Sequence, residues 1–199
     1  MPRPSMKQQR TEEILQAFAR CVARYGLDGS TLERIAEEAG MLRPLVRHFV
    51  GNREELEQQL AQRAIQLSQQ SWQEFLQYME GVDVVDGVEY LLQGLFAESG
   101  DDSEQLQVTE ALVLASRSRP WLQQLMGRWL TDFEMDIRQL LSKEYPQQPD
   151  SAIKAVSFGL ISLYLNLDSI VPLNQAENYR ESAMEAATRL LTSLEVVNA

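Results

Sequence analysis

The chain has 199 residues, of which 44% are apolar and 24% charged, and its formal net charge is −11 at neutral pH. This composition belongs to a folded globular protein and excludes extended disorder, and the length allows a small domain joined to a larger one. No apolar run approaches the ~20 residues that span a bilayer, and residues 1–10, with Arg3, Lys7 and Arg10, lack the apolar core of a secretory signal; a cytoplasmic protein without a membrane partner is expected.

In chain order the apolar spacing is helical throughout, and strand signals are almost absent, so the expected fold class is all-α with about nine helices. A first helix is predicted from Thr11, as cap, through Ile14, Leu15, Phe18, Val22 and Tyr25 to a stop at Gly26. A short second helix begins at Ser30 or Thr31 and ends at Ala39-Gly40, and a third covers 43–50. Gly51-Asn52 break the chain before a long helix over 53–79. Further helices are predicted near 88–98, 103–117, 120–144, 151–169 and 175–194, with Pro120 in a first turn where no N–H partner is needed.

Charge divides unevenly along this series. Residues 1–64 hold ten Lys and Arg against nine Asp and Glu, or +1, whereas residues 65–199 hold eight against twenty, or −12. A DNA-facing surface is therefore permitted in the first part, despite an acidic average that by itself opposes nucleic-acid binding.

Residues 32–49 have the spacing of a helix-turn-helix. Ile35 and Ala36 supply the apolar and small positions of the first helix, Ala39-Gly40-Met41 make the turn, and Val46 with Phe49 lock the second helix. The short helix 43–50 would then enter the major groove by its N-terminal turn. Arg43 is the leading candidate reader, because its guanidinium can donate two hydrogen bonds to guanine O6 and N7. Arg47 lies one turn later and could reach a base or a phosphate, His48 could donate to phosphate, and Pro44 and Leu45 could meet a thymine methyl. Thr31 and the first amides of its helix are candidate phosphate contacts, as is Arg53 at the start of the long helix.

Over residues 11–56 the chain resembles the TetR family of bacterial transcriptional regulators. The residues that carry the likeness are Ile14 with Ala17, Gly26, Thr31, Ile35-Ala36, Ala39-Gly40, and Arg53 with Leu56. Three positions depart from the family pattern: Leu42 replaces a small N-capping residue, Arg47 a common tyrosine and Val50 a common phenylalanine. The resemblance implies a three-helix DNA-binding domain at 1–52, a ligand-binding and dimerisation domain at 53–199, and a homodimer built from the last two helices. It also implies reciprocal coupling between a ligand and a pseudo-palindromic operator.

In the second part, Trp72, Phe75, Met79, Trp121, Met126, Trp129, Phe133 and Phe158 are the large soft side chains that could line a site for a small organic ligand, or simply pack a core. Leu160, Ile161, Tyr164, Ala187, Leu190, Leu191 and Leu194 form apolar stripes expected at a dimer interface, with internal packing as the alternative. One histidine and one cysteine, Cys21, leave no catalytic constellation and no cysteine-based metal site, so neither an enzyme nor a cofactor or metal is expected. The expected function is a sequence-specific DNA-binding repressor released by ligand. The alternative is a ligand-binding or protein-interaction module of the same fold that no longer binds DNA.

Overall fold

The structure is a computed structural model that describes residues 5–79, 84–96 and 103–195. Among these residues there are nine α-helices and no strand: α1 Met6–Gly29, α2 Leu32–Glu38, α3 Arg43–Val50, α4 Arg53–Met79, α5 Val84–Phe96, α6 Ser103–Ala115, α7 Pro120–Glu144, α8 Asp150–Ser169 and α9 Ala176–Glu195. Short 3₁₀ turns at Ser116–Ser118 and Val171–Leu173 follow α6 and α8.

The described residues group into two compact units, 5–70 with 103–127 and 71–96 with 128–195. This division does not follow the expected boundary at residue 52. In the first unit α1 packs against α2, α3 and also α6. Ile14, Phe18, Ile35, Val46, Leu56, Leu60, Leu112 and Leu122 are all fully or almost fully buried there. Each such leucine or isoleucine contributes ~1.5–3 kcal/mol by leaving water. In the second unit α9 packs on α8 and α5, around a cluster that includes Leu91, Phe96, Ile137, Leu141, Leu160, Ala187 and Leu191.

Helix ends follow local chemistry. α1 starts five residues before the expected Thr11, because Ser5 accepts from the Gln8 amide while the Gln8 side chain returns a bond to the Ser5 amide. Its last turn is broken at Gly26, whose φ of 69° is a conformation that few other residues adopt without strain. α4 opens with a second reciprocal pair, Asn52 and Glu55. α5 begins at Val84, inside the segment expected to be a loop, and the expected end of that helix at residue 98 lies outside the described residues.

By length and composition alone the segment Asp150–Leu173 could cross a membrane. Its inner stripe of Ile153, Val156, Leu160, Ile161 and Leu167 is instead packed into the core of the second unit.

Candidate nucleic-acid interface

The turn between α2 and α3 sets the geometry of the candidate reading surface. The Met41 amide donates to the Ala36 carbonyl at 2.9 Å and the Gly40 amide to the Glu37 carbonyl at 3.0 Å, the paired bonds of a Schellman cap. Gly40 carries the positive φ of 62° that this cap demands. The chain can thus leave α2 and start α3 within a few residues. Thr31 caps α2 by accepting from the Arg34 amide at 3.3 Å, whereas Leu42 caps α3 without any side-chain bond and is 77% exposed.

α3 divides cleanly into two faces. Val46 and Val50 are buried, and Phe49 is half-buried. On the other side Arg43, Pro44, Leu45, Arg47 and His48 are exposed together, as the sequence spacing requires. The structure brings these five predicted residues to one surface, with the exposed Thr31 at the start of the neighbouring helix.

Arg53 is different. Its Nε donates to Glu57 Oε1 at 2.7 Å, its two terminal nitrogens donate to the carbonyls of Ser30 and Leu27, and its guanidinium lies 4.8 Å from the Phe18 ring centre. This arginine donates to carbonyls where α1 ends, and every nitrogen of its head is engaged inside the fold. It is therefore a tie between α1 and α4 rather than a free phosphate contact, which corrects the reading made from its position at a helix start.

Glu57 extends the tie. It is 6% exposed and accepts from Arg119 Nε at 3.0 Å as well as from Arg53. Arg119 also pairs with Asp28, and these two acids hold its guanidinium more firmly protonated than an ordinary arginine, with the Asp28 hydrogen bond as the leading cause. Arg119 and Glu57 were not singled out from the sequence. The Arg53–Glu57 spacing of four residues is a readable helix pair, but nothing local points to a partner 62 residues away.

Other arginines of this unit are engaged too. Arg20 and Arg24 both pair with Glu38, at 2.5 and 3.0 Å, and pull its carboxyl below the ordinary range. Arg34 donates to the Gly29 carbonyl and lies over the Tyr25 ring. Arg63 binds Glu12 at 2.6 Å. Among the described residues Arg47 forms no ion pair, and Arg43 pairs only with the equally exposed Glu33, at 2.7 Å. Arg43 and Arg47 are thus exposed cations on α3 that can face an outside partner.

The eight predicted ligand-lining residues do not form one group. Trp121 and Met126 belong to the first unit, and the other six to the second. In the second unit Trp72 stacks on Phe75 at 5.2 Å and meets Phe133 edge-on at 4.9 Å, while Phe133 lies 5.9 Å from Tyr164. The indole N–H donates to Asp136 at 2.9 Å, an acceptor not foreseen from sequence. Met79 packs against the same core, and Trp129 is half-buried. Phe158 stands apart, 69% exposed on the outer side of α8.

The predicted dimer residues need a matching correction. Leu160, Ile161, Ala187, Leu191 and Leu194 are buried in the core of their own unit, and Tyr164 is half-buried among the aromatic rings. Leu190 is partly exposed and lines an open groove between α8 and α9 with Gly159, Ser162, Leu163, Asn166 and Arg189. A Cβ at Gly159 would come within 2.7 Å of Leu190 Cδ1, so an added side chain there would displace the Leu190 side chain.

No family model matches the sequence, and no curated protein matches it. Solved structures do match. A TetR-family transcriptional regulator from Cytophaga hutchinsonii aligns with a TM-score of 0.77 at 13% identity, covering 99% of this chain and 100% of that one. A TetR-family member from Streptomyces coelicolor A3 gives 0.68 at 20% identity, covering 94% and 98%. The multidrug binding protein EbrR, solved with imidazole, gives 0.64 at 20% identity, covering 99% and 98%. The chain has the all-α fold of the TetR-family regulators.

Proposed function

We propose that this chain is a sequence-specific DNA-binding transcriptional regulator of the TetR type, not an enzyme, working in the cytoplasm as a homodimeric repressor. The observation that carries this reading is the outer face of α3. Arg43, Pro44, Leu45, Arg47 and His48 are exposed together on a helix held by a Schellman turn, while other arginines around them are turned to internal acids and carbonyls. In this role Arg43 reads guanine, Arg47 and His48 reach a base or phosphate, and Thr31 lies beside the backbone. Residues 1–52 act as the reading head, and the remainder binds a small organic ligand and a second copy.

The aromatic cluster of Trp72, Phe75, Phe133 and Tyr164 supports a ligand site for an apolar or aromatic molecule, and a structural neighbour solved with imidazole favours the same kind of role. The outer groove of α8 and α9, with Phe158 and Leu190, is the surface offered to the second copy. Two-fold symmetry then asks for an inverted repeat with half-sites about 34 Å apart or a multiple of that spacing.

Selection from a random duplex pool with the purified protein, followed by titration of the winner at two salt concentrations, tests this reading. Enrichment of an inverted repeat whose affinity falls with salt is expected. No enrichment at low salt from a folded dimer would favour the alternative, a ligand-binding or interaction module without DNA activity. That alternative draws on the engaged Arg53 and the uncapped α3.

A further inference from the structure

Arg43 and Glu33 come from different helices of the reading head and meet on its outer surface. Their carboxylate–guanidinium contact is 2.7 Å, with side chains 58% and 60% exposed. An exposed pair of this kind adds little to folding stability. Its effect lies in what it leaves Arg43 able to do.

Glu33 has further partners besides Arg43. Its carboxyl interacts with its own backbone amide and with the Thr31 hydroxyl, and these contacts with the nearby Arg43 charge keep it ionised well below the usual range. Arg43 occupies the first position of α3, and Pro44 stiffens the backbone beside it. The contact uses Nη1 and leaves Nη2 with free N–H groups, so the guanidinium can still give a forked pair of bonds to a purine edge. A phosphate is a poorer partner in this setting, because the Glu33 charge offsets that of Arg43 and opposes an anionic backbone.

We propose that Glu33 is a specificity-determining residue: it pins Arg43 against α2 so that the arginine reads a guanine edge and is withheld from phosphates on unrelated DNA. This rests on the DNA-reading function proposed above. Glu33 acts through Arg43 and is a positioning residue.

The test uses the full chain with Glu33→Gln, Glu33→Ala, Arg43→Ala and the Glu33→Gln/Arg43→Ala double variant. Each is titrated with the selected duplex, with duplexes changed at single base pairs, and with an unrelated duplex, over a series of salt concentrations. Both Glu33 variants should bind unrelated duplex about tenfold more tightly and lose about tenfold of their discrimination at the base pair that Arg43 reads. The logarithmic salt slope should steepen by about 0.9, as one more phosphate is engaged. In the Arg43→Ala background the Glu33→Gln change should have no further effect. Parental discrimination and slope in both Glu33 variants would overturn the assignment, as would an equal gain in the Arg43→Ala background, which would make Glu33 a bare repulsive charge. A parent that selects no sequence overturns the DNA-reading function itself.

Discussion

Both units have apolar cores, but they differ in how far charge joins their distant parts. In the first, distant parts of the chain are joined by charge as well as by apolar packing: Arg63 to Glu12, Arg20 and Arg24 to Glu38, and Arg119 to Glu57 and Asp28. In the second, distant parts meet through a continuous apolar cluster and a run of rings, while among the described residues two of its three ion pairs lie within a single helix. Charge fixes direction and partner, which suits a surface that must present a few side chains in one geometry. Apolar packing tolerates exchange among shapes of similar volume, which suits the ligand-binding role proposed for that region.

The most severe way to break this contrast is Glu57→Ala. Two arginine heads lose a buried acceptor, and a loss of about 3–5 kcal/mol is expected from urea unfolding. Leu160→Ala is the counterpart in the second unit. The side chain is fully buried, and about 2–5 kcal/mol should be lost with little dependence on salt. A Leu160→Ala loss as salt-sensitive as that of a charge variant would undo the comparison. Arg43→Ala should leave stability within about 0.5 kcal/mol yet cost about 1–3 kcal/mol of discrimination at one base pair; a melting curve and titrations against single-base variants check both. Acid provides the mildest probe. Glu12 is held below the ordinary carboxyl value of 4.5 chiefly by Arg63, and Glu38 chiefly by Arg20. The folded chain therefore binds these protons less readily than the unfolded chain. Their contribution is complete at neutral pH and is lost as pH falls below 4.5 through the folded values. Glu38→Gln should make the acid loss in the urea midpoint shallower than in the parent.

Much of the fold was readable because helices, turns and the binary pattern are local. Ile35, Ala36, Gly40, Val46 and the exposed side of α3 follow from spacing alone. What escaped depends on partners far along the chain. Arg53 reads as an exposed helix-start charge until the carbonyls of Leu27 and Ser30 are brought to it. α8 carries apolar residues on both sides, so periodicity could not say that Leu160 and Ile161 face inward while Phe158 faces out. The Ser5 cap was legible in principle as Ser-x-x-Gln, but the polar stretch after it masks the start of the helix. The ligand-lining set failed to form one group for a related reason: α7 runs through both units, so neighbours in sequence such as Met126 and Phe133 serve different cores.

Glu57, between its two arginines, also constrains how this sequence can drift. A change at Glu57 alone takes a shared acceptor from two cations, and a change at Arg53 alone takes a donor from two carbonyls and a carboxylate. Well-packed apolar side chains can replace such a group with no loss of stability, but only when the members change together. Asp28, Arg53, Glu57 and Arg119 are thus coupled, and the effect of changing one is expected to depend on which residues stand at the others.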